Sequence, residues 1–354
     1  TGCQWAGWPS GGLMKAMNRN RVAELAGVSP ITVSRVFRGS GLVAEATRQR
    51  VIEAGRRCGY YPHAGARAMR CGRFNRIAAC VVQYGPKGSV YSPNNGYLDA
   101  ATDELAEHGY SLVFEPLHLA EAGDEFIEPP RLFSETAVDG VLGLPTGGLA
   151  PKEVDDHLAR LGAPVVWMNR NPGECPVSVV CDEYRHGRML ARHLIDLGHR
   201  RIAYAGYGSP HYSATGRFAG IRDELVAGGL DTSALYLGPR PPQPTAMAER
   251  ILDLSEPVTA VIAYHRGFQE GMLRAASLRG LNVPRDLSVC HFASAWEFEL
   301  VDRPPTAVSL PEPQVAVAAV RALVELMDGK LPEIPAPVVG ELVVGFTSAE
   351  PGKR

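Results

Sequence analysis

Features that would mark a membrane or secreted protein are absent from this chain of 354 residues. No apolar run approaches the roughly 20 residues that a membrane-spanning helix needs. Residues 1–12 lack the basic start and the apolar core of a secretory signal. A hydrophobic fraction of 45% with 21% charged residues is typical of a globular chain. We therefore expect a cytoplasmic protein with no membrane partner.

The motifs of metal sites and of common enzymes are also absent. The seven cysteines are scattered, and no pair shows the spacing of zinc ligands or of a redox motif. No Gly-x-Gly-x-x-Gly follows the first predicted strand, no phosphate-binding loop is present and no Ser-His-Asp set is evident. The sequence therefore predicts no metal, no cofactor and no enzymatic activity.

The chain does have a strong division of charge. Residues 15–76 contain 13 Lys and Arg against three Glu, a net charge of +10, although the whole chain carries only −2. The remainder is therefore strongly acidic. A compact basic segment on an acidic body is the electrostatic pattern of a nucleic-acid binder.

The basic segment contains the pattern of two short helices joined by a glycine turn. Val22 and Leu25 share one face of the first helix, and Gly27 supplies the left-handed residue that ends it. Ser29 offers an N-cap oxygen, and Pro30 suits the first helical position. Apolar residues of the second helix are predicted to pack back on the first: Val33, Val36 and Phe37. A DNA-reading helix-turn-helix has this pattern, although an ordinary helical hairpin shares it.

Beyond residue 76 the chain alternates apolar strand patterns with helical patterns. Predicted strands are 77–82, 111–115, 138–144, 165–168, 178–181, 202–205, 260–263 and 287–292. Strand–helix alternation with uninterrupted apolar strands predicts parallel sheets covered on both faces. About two sets of this alternation predict two Rossmann-like lobes, with links near 171–177 and 303–310.

Several stretches of the chain resemble the lactose/galactose repressor family. They are residues 23–36, 47–52, 59–62, 66–70, 197–203 and 304–308. The resemblance extends from about Arg19 to about Thr347. It implies an all-α helix-turn-helix head and an α/β body of two lobes of the periplasmic-binding-protein type, with a third crossing between lobes near 329–338. The expected domains are a flexible leader (1–16), the head (17–61), a hinge helix and linker (62–75), an effector-binding and dimerisation body (76–348) and a tail (349–354).

The resemblance implies which residues meet DNA. Pro30, Ile31 and Arg35 are expected at base edges in the major groove, where Arg pairs bidentately with guanine. A phosphate contact is the alternative for Arg35. Expected phosphate ligands are Thr32, Ser34 and Arg38, and expected hinge-helix contacts are Arg67, Met69 and Arg70. Met69 is expected to wedge into a base step from the minor groove, and a core methionine is the alternative.

The resemblance also implies an effector cleft between the lobes. Its expected contacts are Arg170, Asp182, Arg217, His265 and Arg266. His265 and Arg266 replace the family's hydroxyl-binding Asn-Asp pair, and Ala293 replaces a carboxylate. Three converging guanidiniums would leave costly uncompensated charge, so we expect a carbohydrate-derived effector with an acidic group, such as a sugar acid or sugar phosphate. Local capping or pairing is the alternative for each residue.

The resemblance as a whole implies a homodimeric transcriptional repressor that binds a pseudo-palindromic operator. A solute-binding protein of a transporter shares the two-lobe body, and a Rossmann-like enzyme is the second alternative. The missing secretory signal and the basic head disfavour the solute-binding protein. The missing phosphate-binding and catalytic motifs disfavour the enzyme.

Overall fold

The computed structural model describes residues 19–38, 43–60, 72–84, 95–119, 138–145, 152–238, 244–299 and 301–352. These residues belong to two units that divide the chain between Phe74 and Asn75. None of the helices in the described ranges is long and apolar enough to cross a membrane. In the same ranges, no group of His, Cys, Asp and Glu is arranged to hold a metal ion.

The first unit contains three helices, α1 (Arg19–Ala26), α2 (Pro30–Arg38) and α3 (Glu45–Arg57). Its core consists of Val22, Ala23, Ala26, Val33, Val36, Val51, Ala54 and Cys58. Gly27 has φ +64° and ends α1, as the sequence predicts. The prediction that Leu25 belongs to this core is wrong, because its side chain is 47% exposed. Ala23 and Ala26 complete the buried face of α1 instead.

The second unit contains two parallel sheets with flanking helices. In chain order its elements are β1 (Arg76–Tyr84), α4 (Asn95–Glu107), β2 (Ser111–Leu119), β3 (Gly140–Pro145), α5 (Lys152–Arg160), β4 (Val165–Met168), β5 (Ser178–Val179), α6 (Glu183–Asp196), β6 (Ile202–Tyr207), α7 (Tyr212–Ala227), β7 (Leu235–Gly238), α8 (Pro244–Leu252), β8 (Ala260–Ala263), α9 (Arg266–Leu278), β9 (Ser288–Ser294), α10 (Trp296–Glu299), β10 (Ala307–Leu310), α11 (Glu312–Met327) and β11 (Glu341–Val343). The sequence pattern does not predict β7, β10 or β11.

Each sheet forms the centre of one lobe. The first sheet has the order β2-β1-β3-β4-β5, and the second has the order β11-β10-β9-β8-β6-β7. All pairs are parallel except β10–β11, which is antiparallel. Apart from β11, both lobes therefore repeat one doubly wound topology, in which the order reverses beside the first strand. Ligands of such sheets bind outside the carboxyl ends of the strands at that reversal.

The chain crosses between the lobes three times, but the first two links are displaced from their predicted positions. Residues 171–177 only join β4 to β5, because Ser178 and Val179 still pair with β4. The first crossing therefore leads from Val180 into α6, whose apolar face packs in the second lobe. The second follows Leu310, because β10 is still paired with β9. It leads into α11, which packs in the first lobe.

The third crossing runs beside the first. Val338 and Cys181 form a parallel β-bridge. The backbone N–H of Asp182 donates to the carbonyl of Val338 at 2.7 Å, and the N–H of Val338 donates to the carbonyl of Val180 at 2.8 Å. Two of the three connections between the lobes are thus hydrogen-bonded to each other.

Helices α6 and α7 meet backbone to backbone at glycines. A Cβ at Gly187 would overlap the carbonyl oxygen of Arg217, and one at Gly220 would overlap the carbonyl oxygen of Tyr184. A Cβ at Gly216 would lie 2.9 Å from the Cβ of Glu183. The three glycines therefore allow an approach that any side chain would prevent, and they bring the first turn of α6 against α7.

We predict that Gly220→Ala lowers the free energy of unfolding by at least about 2 kcal/mol, because the obstacle is rigid backbone rather than a movable side chain. Urea denaturation of the full chain measures the change. Gly173→Ala is the matched control, since Gly173 lies in an exposed turn where a Cβ meets only the Asn171 side chain at 3.6 Å. Equal stability of the two variants would contradict the packing described above.

Candidate nucleic-acid interface and effector cleft

The outer face of α2 presents two of the residues expected at DNA bases. Val33 and Val36 are buried against the other head helices, which fixes the rotation of α2 about its axis. Ile31 is 62% exposed and Arg35 is exposed, and the two lie one helical turn apart on the same face. Pro30 is half-buried at the first position of the helix. An apolar and a cationic side chain therefore stand side by side on the surface of the head.

The polar side chains in and just before α2 make hydrogen bonds within the head. The Thr32 N–H donates to Ser29 Oγ at 3.1 Å, which makes Ser29 the N-cap that the sequence predicts. The hydroxyls of Ser29 and Thr32 are also 2.9 Å apart. Ser34 Oγ accepts a hydrogen bond from Arg19 Nη1 at 3.2 Å. Arg38 ends the helix, and its side chain lies outside the described residues, as do Arg67, Met69 and Arg70.

In the second unit, a buried ion pair joins α6 to α7. Arg217 Nε and Nη2 donate to the two carboxylate oxygens of Glu183 at 2.7 and 3.0 Å. Arg217 Nη1 donates to the carbonyl of Tyr264 at 3.0 Å, at the end of β8. The guanidinium also lies over the rings of Tyr264 and Phe292, 5.1 and 4.5 Å from their centroids. The bidentate geometry and the carbonyl leave Arg217 fully engaged.

The electrostatics of this pair keep both members charged. Burial raises the pKa of Glu183, but Arg217 and His186 outweigh burial and hold the pKa at about 2. Burial lowers the pKa of Arg217, but Glu183 outweighs it and the pKa lies above its ordinary value. His186 accepts a hydrogen bond from the Gly340 N–H through Nε2 at 2.7 Å, so its proton is on Nδ1, which faces Glu183 at 3.4 Å. This chain of contacts connects the third crossing to α7.

Two other predicted effector contacts cap helices. Asp182 accepts from the Arg185 N–H at 2.9 Å and caps α6. His265 Nδ1 accepts from the Gly267 N–H at 3.0 Å and caps α9. Burial, together with Arg217, lowers the pKa of His265 to about 4, so the imidazole is neutral at physiological pH. Both caps lie at the carboxyl edge of a sheet, where a ligand would bind.

Arg170 and Arg266 do not carry the uncompensated charge that the sequence predicts. Arg170 makes two hydrogen bonds to the Asp155 carboxylate, at 2.5 and 2.7 Å, and lies 4.4 Å from the ring centroid of Trp167. Arg266 Nε donates to Glu270 at 2.7 Å along α9. With Arg217 bound to Glu183, each of the three guanidiniums has its own carboxylate. The charge argument for an acidic effector is therefore wrong.

A second buried carboxyl group lies where the chain makes its second crossing. Glu312 is the first residue of α11 and is 3% exposed. Its Oε1 accepts from Ser294 Oγ at 2.9 Å, at the end of β9. Burial raises the pKa of Glu312 to about 8. The Ser294 N–H in turn donates to Glu297 Oε1 at 2.9 Å.

The first lobe contributes polar groups around the first crossing. Asn169, which has φ +55°, accepts from the Cys181 N–H at 2.7 Å through Oδ1 and donates to the Tyr97 hydroxyl. Burial, followed by Cys181, raises the pKa of Tyr97 well above its ordinary value, so the phenol is neutral. Tyr97 lies in the first turn of α4. In both lobes, the polar residues therefore lie at the starts of helices and beside the segments that cross between the lobes.

Sequence reasoning did not single out several of these residues. The omitted ones are Tyr97, His211, Ser213, Ser294, Glu297 and Glu312. His211 caps α7, and its Nδ1 lies 2.6 Å from Ser213 Oγ, which lies 2.8 Å from the Tyr264 hydroxyl. A shared signal was available, because a polar residue stands at the start of each helix that follows a cleft-facing strand or crossing.

Comparison with known proteins identifies the family. Residues 20–63 match the family model described as bacterial regulatory proteins, lacI family, and residues 191–348 match the periplasmic binding protein-like domain. The HTH-type transcriptional regulator CelR of Thermobifida fusca is 31% identical over 325 residues, which cover 88% of this chain and 92% of that protein. The chain belongs to the lacI family of bacterial regulatory proteins. It is therefore a DNA-binding transcriptional regulator and not an enzyme.

Other relatives of this regulator support the same family and the same fold. The HTH-type transcriptional repressor PurR of Vibrio cholerae is 27% identical over 324 residues, covering 87% of this chain and 91% of PurR. The solved CelR–cellobiose complex has a TM-score of 0.65 at 27% identity and covers 94% of this chain and 99% of that one. A lac repressor dimer bound to operator and an anti-inducer has a TM-score of 0.76 at 21% identity, over 95% of this chain and 100% of that one. The predicted fold is confirmed.

We predict that Arg217→Met costs about 3–5 kcal/mol of unfolding free energy at pH 7, because Glu183 is then a buried carboxylate without its partner. The double variant Arg217→Met/Glu183→Gln should recover a large part of that loss, since no charge is orphaned. Urea denaturation of both variants tests this. Additive losses in the double variant would show that the ion pair is not the source of the effect.

Proposed function

We propose that this regulator is a cytoplasmic, homodimeric repressor whose α2 helices read a pseudo-palindromic operator in the major groove. The exposed face formed by Ile31 and Arg35 is the observation that carries the proposal. Arg35 would pair with a guanine edge and Ile31 would contact a thymine methyl, while Pro30 would lie against the same groove. A single head offers too few base contacts for useful specificity, so two heads are needed.

The remaining DNA contacts belong to the same proposal. Thr32, Ser34 and Arg38 would hold phosphates and set the register of α2 on the duplex. Residues 62–75 would form the hinge segment after the head (17–61), with Arg67 and Arg70 beside the minor groove and Met69 wedged into a base step. The body (76–348) would bind the effector and form the dimer.

We further infer that the effector is an uncharged carbohydrate bound between the lobes. The solved CelR relative is a complex with cellobiose, a neutral sugar. The paired guanidiniums support this choice, because Arg217 and Glu183 together add no net charge. Asp182, His265 and Arg266 at the starts of α6 and α9 would supply hydrogen bonds to hydroxyl groups, and Arg170 would act from the first lobe.

The DNA proposal predicts different effects for two arginines of α2. Arg35→Ala should relax sequence choice, costing about 1–3 kcal/mol at one base pair of each half-site and little elsewhere. Arg38→Ala should weaken binding to all sequences alike and make the dependence of affinity on salt less steep. Selection from a random-sequence DNA library, followed by titration at two salt concentrations, measures both. The same specificity profile for the two variants would refute the assignment.

A further inference from the structure

We propose that Glu312 is a protonated effector contact, which donates a hydrogen bond from Oε2 to a hydroxyl oxygen of the sugar and makes effector binding weaken as Glu312 ionises. The inference rests on the proposed function, because it assigns a residue and a pH response to the same cleft.

The hydrogen bonds of Glu312 are incomplete. Oε1 accepts from Ser294 Oγ at 2.9 Å, but Oε2 is buried and has no hydrogen-bond partner among the described residues. Buried polar atoms are nearly always hydrogen-bonded, so an orphaned carboxyl oxygen indicates a partner beyond the described residues, and a ligand can be that partner. A bound sugar hydroxyl is such a partner.

Glu312 Oε2 lies where the two lobes meet. A Cβ at Gly96 would overlap this oxygen, so the absence of a side chain at Gly96 leaves the space that Oε2 occupies. Gly96 is in the first turn of α4, and Glu312 begins α11 immediately after β10 ends. Ser294, the donor to Oε1, ends β9 in the other lobe. The orphaned oxygen is thus at the carboxyl edge of the strands, the place where ligands of this topology bind.

A second unpartnered polar atom lies at the same edge. Trp296 is two residues beyond Ser294, and its Nε1 is buried with no acceptor in the part of the chain that the structure describes. An indole N–H can only donate. A carbohydrate carries several hydroxyl groups, each able to accept and to donate, and one such ligand could satisfy both atoms.

The surrounding charges favour the protonated form of Glu312. Burial, with a smaller contribution from the carboxylates of Glu297 and Glu183, raises the pKa of Glu312 to about 8, although Ser294 and Arg217 act in the opposite direction. Arg217 is already bound bidentately to Glu183. His265, whose pKa burial lowers to about 4, is neutral at pH 7 and adds no positive charge beside Glu312. At pH 7 Glu312 therefore presents an O–H donor.

The sign of the pH response follows from burial. A bound sugar excludes the water that would solvate an ionised Glu312, and this carboxylate would remain beside two others. Protein in which Glu312 is ionised would therefore have to take up a proton at this carboxyl group before it binds the sugar. With a pKa of about 8, the protonated fraction falls about tenfold between pH 7 and pH 9, and effector affinity should fall in proportion.

Calorimetry on the full chain tests this inference with cellobiose, lactose, maltose and glucose as probes, at pH 7 and pH 9. For the probe that the wild-type protein binds, we expect affinity to fall about tenfold at pH 9. Glu312→Gln retains a donor without a titrating proton, so it should bind within about twofold of wild type at pH 7 and show no loss at pH 9. Glu312→Leu removes the donor and should bind roughly fivefold to tenfold more weakly at pH 7.

The exposed Glu299→Gln is the matched control and should keep the wild-type pH response. Thermal unfolding curves establish that all variants are folded. Wild-type affinity at Glu312→Leu, or an unchanged pH response in Glu312→Gln, would overturn the inference while leaving the proposed sugar effector intact. If the wild-type protein binds its operator but binds none of these sugars, and none of them changes operator binding, the proposed effector is overturned and this inference with it.

Discussion

The second unit depends on the buried contact between Glu183 and Arg217. Two charges are stable in a buried site only when geometry and further hydrogen bonds compensate for their lost hydration. Here the bidentate pair, the Tyr264 carbonyl and the His186 imidazole provide that compensation. The contact is possible only because helices α6 and α7 approach at glycines, so the packing of small residues and the placement of charge are one constraint.

This constraint connects the crossings of the chain to the carboxyl edges of the sheets. The Gly340 N–H on the third crossing binds His186, which faces Glu183 in the first turn of α6. Arg217 then reaches the end of β8 through Tyr264. A ligand that moved the helix starts at this edge would therefore act on the segments that join the lobes. Any shift of one lobe relative to the other must change the conformation of these crossing segments, because they connect the two lobes.

The polar side chains at this edge differ in how many of their hydrogen-bonding atoms have a partner. Glu183 and Arg217 are bound to each other through both carboxylate oxygens, and Asp182 and His265 each cap a helix. Glu312 has one oxygen bound and one without a partner among the described residues. Satisfied groups fix the local backbone, whereas an unsatisfied buried group retains a hydrogen bond to offer. The distinction separates the Glu183–Arg217 pair, which belongs to the scaffold of the cleft, from the groups that retain a hydrogen-bonding atom for a ligand.

The sequence by itself determined the local features whose causes are local. The glycine turn at Gly27, the Ser29 cap and the strands of both sheet centres follow from backbone preference and from the period of apolar residues. The face of α1 was misjudged because a helical period fits both Leu25 and Ala26, and only packing against α2 and α3 decides between them. The strands β7, β10 and β11 are only three or four residues long and lie at or near an edge of the second sheet, so pairing in the folded sheet defines them rather than the apolar pattern. The pairing of each arginine with its carboxylate was decided by tertiary structure alone, since Asp155–Arg170 and Glu183–Arg217 join residues 15 and 34 positions apart. The net charge of a cleft depends on residues that only folding brings together, so their spacing in the sequence does not reveal it.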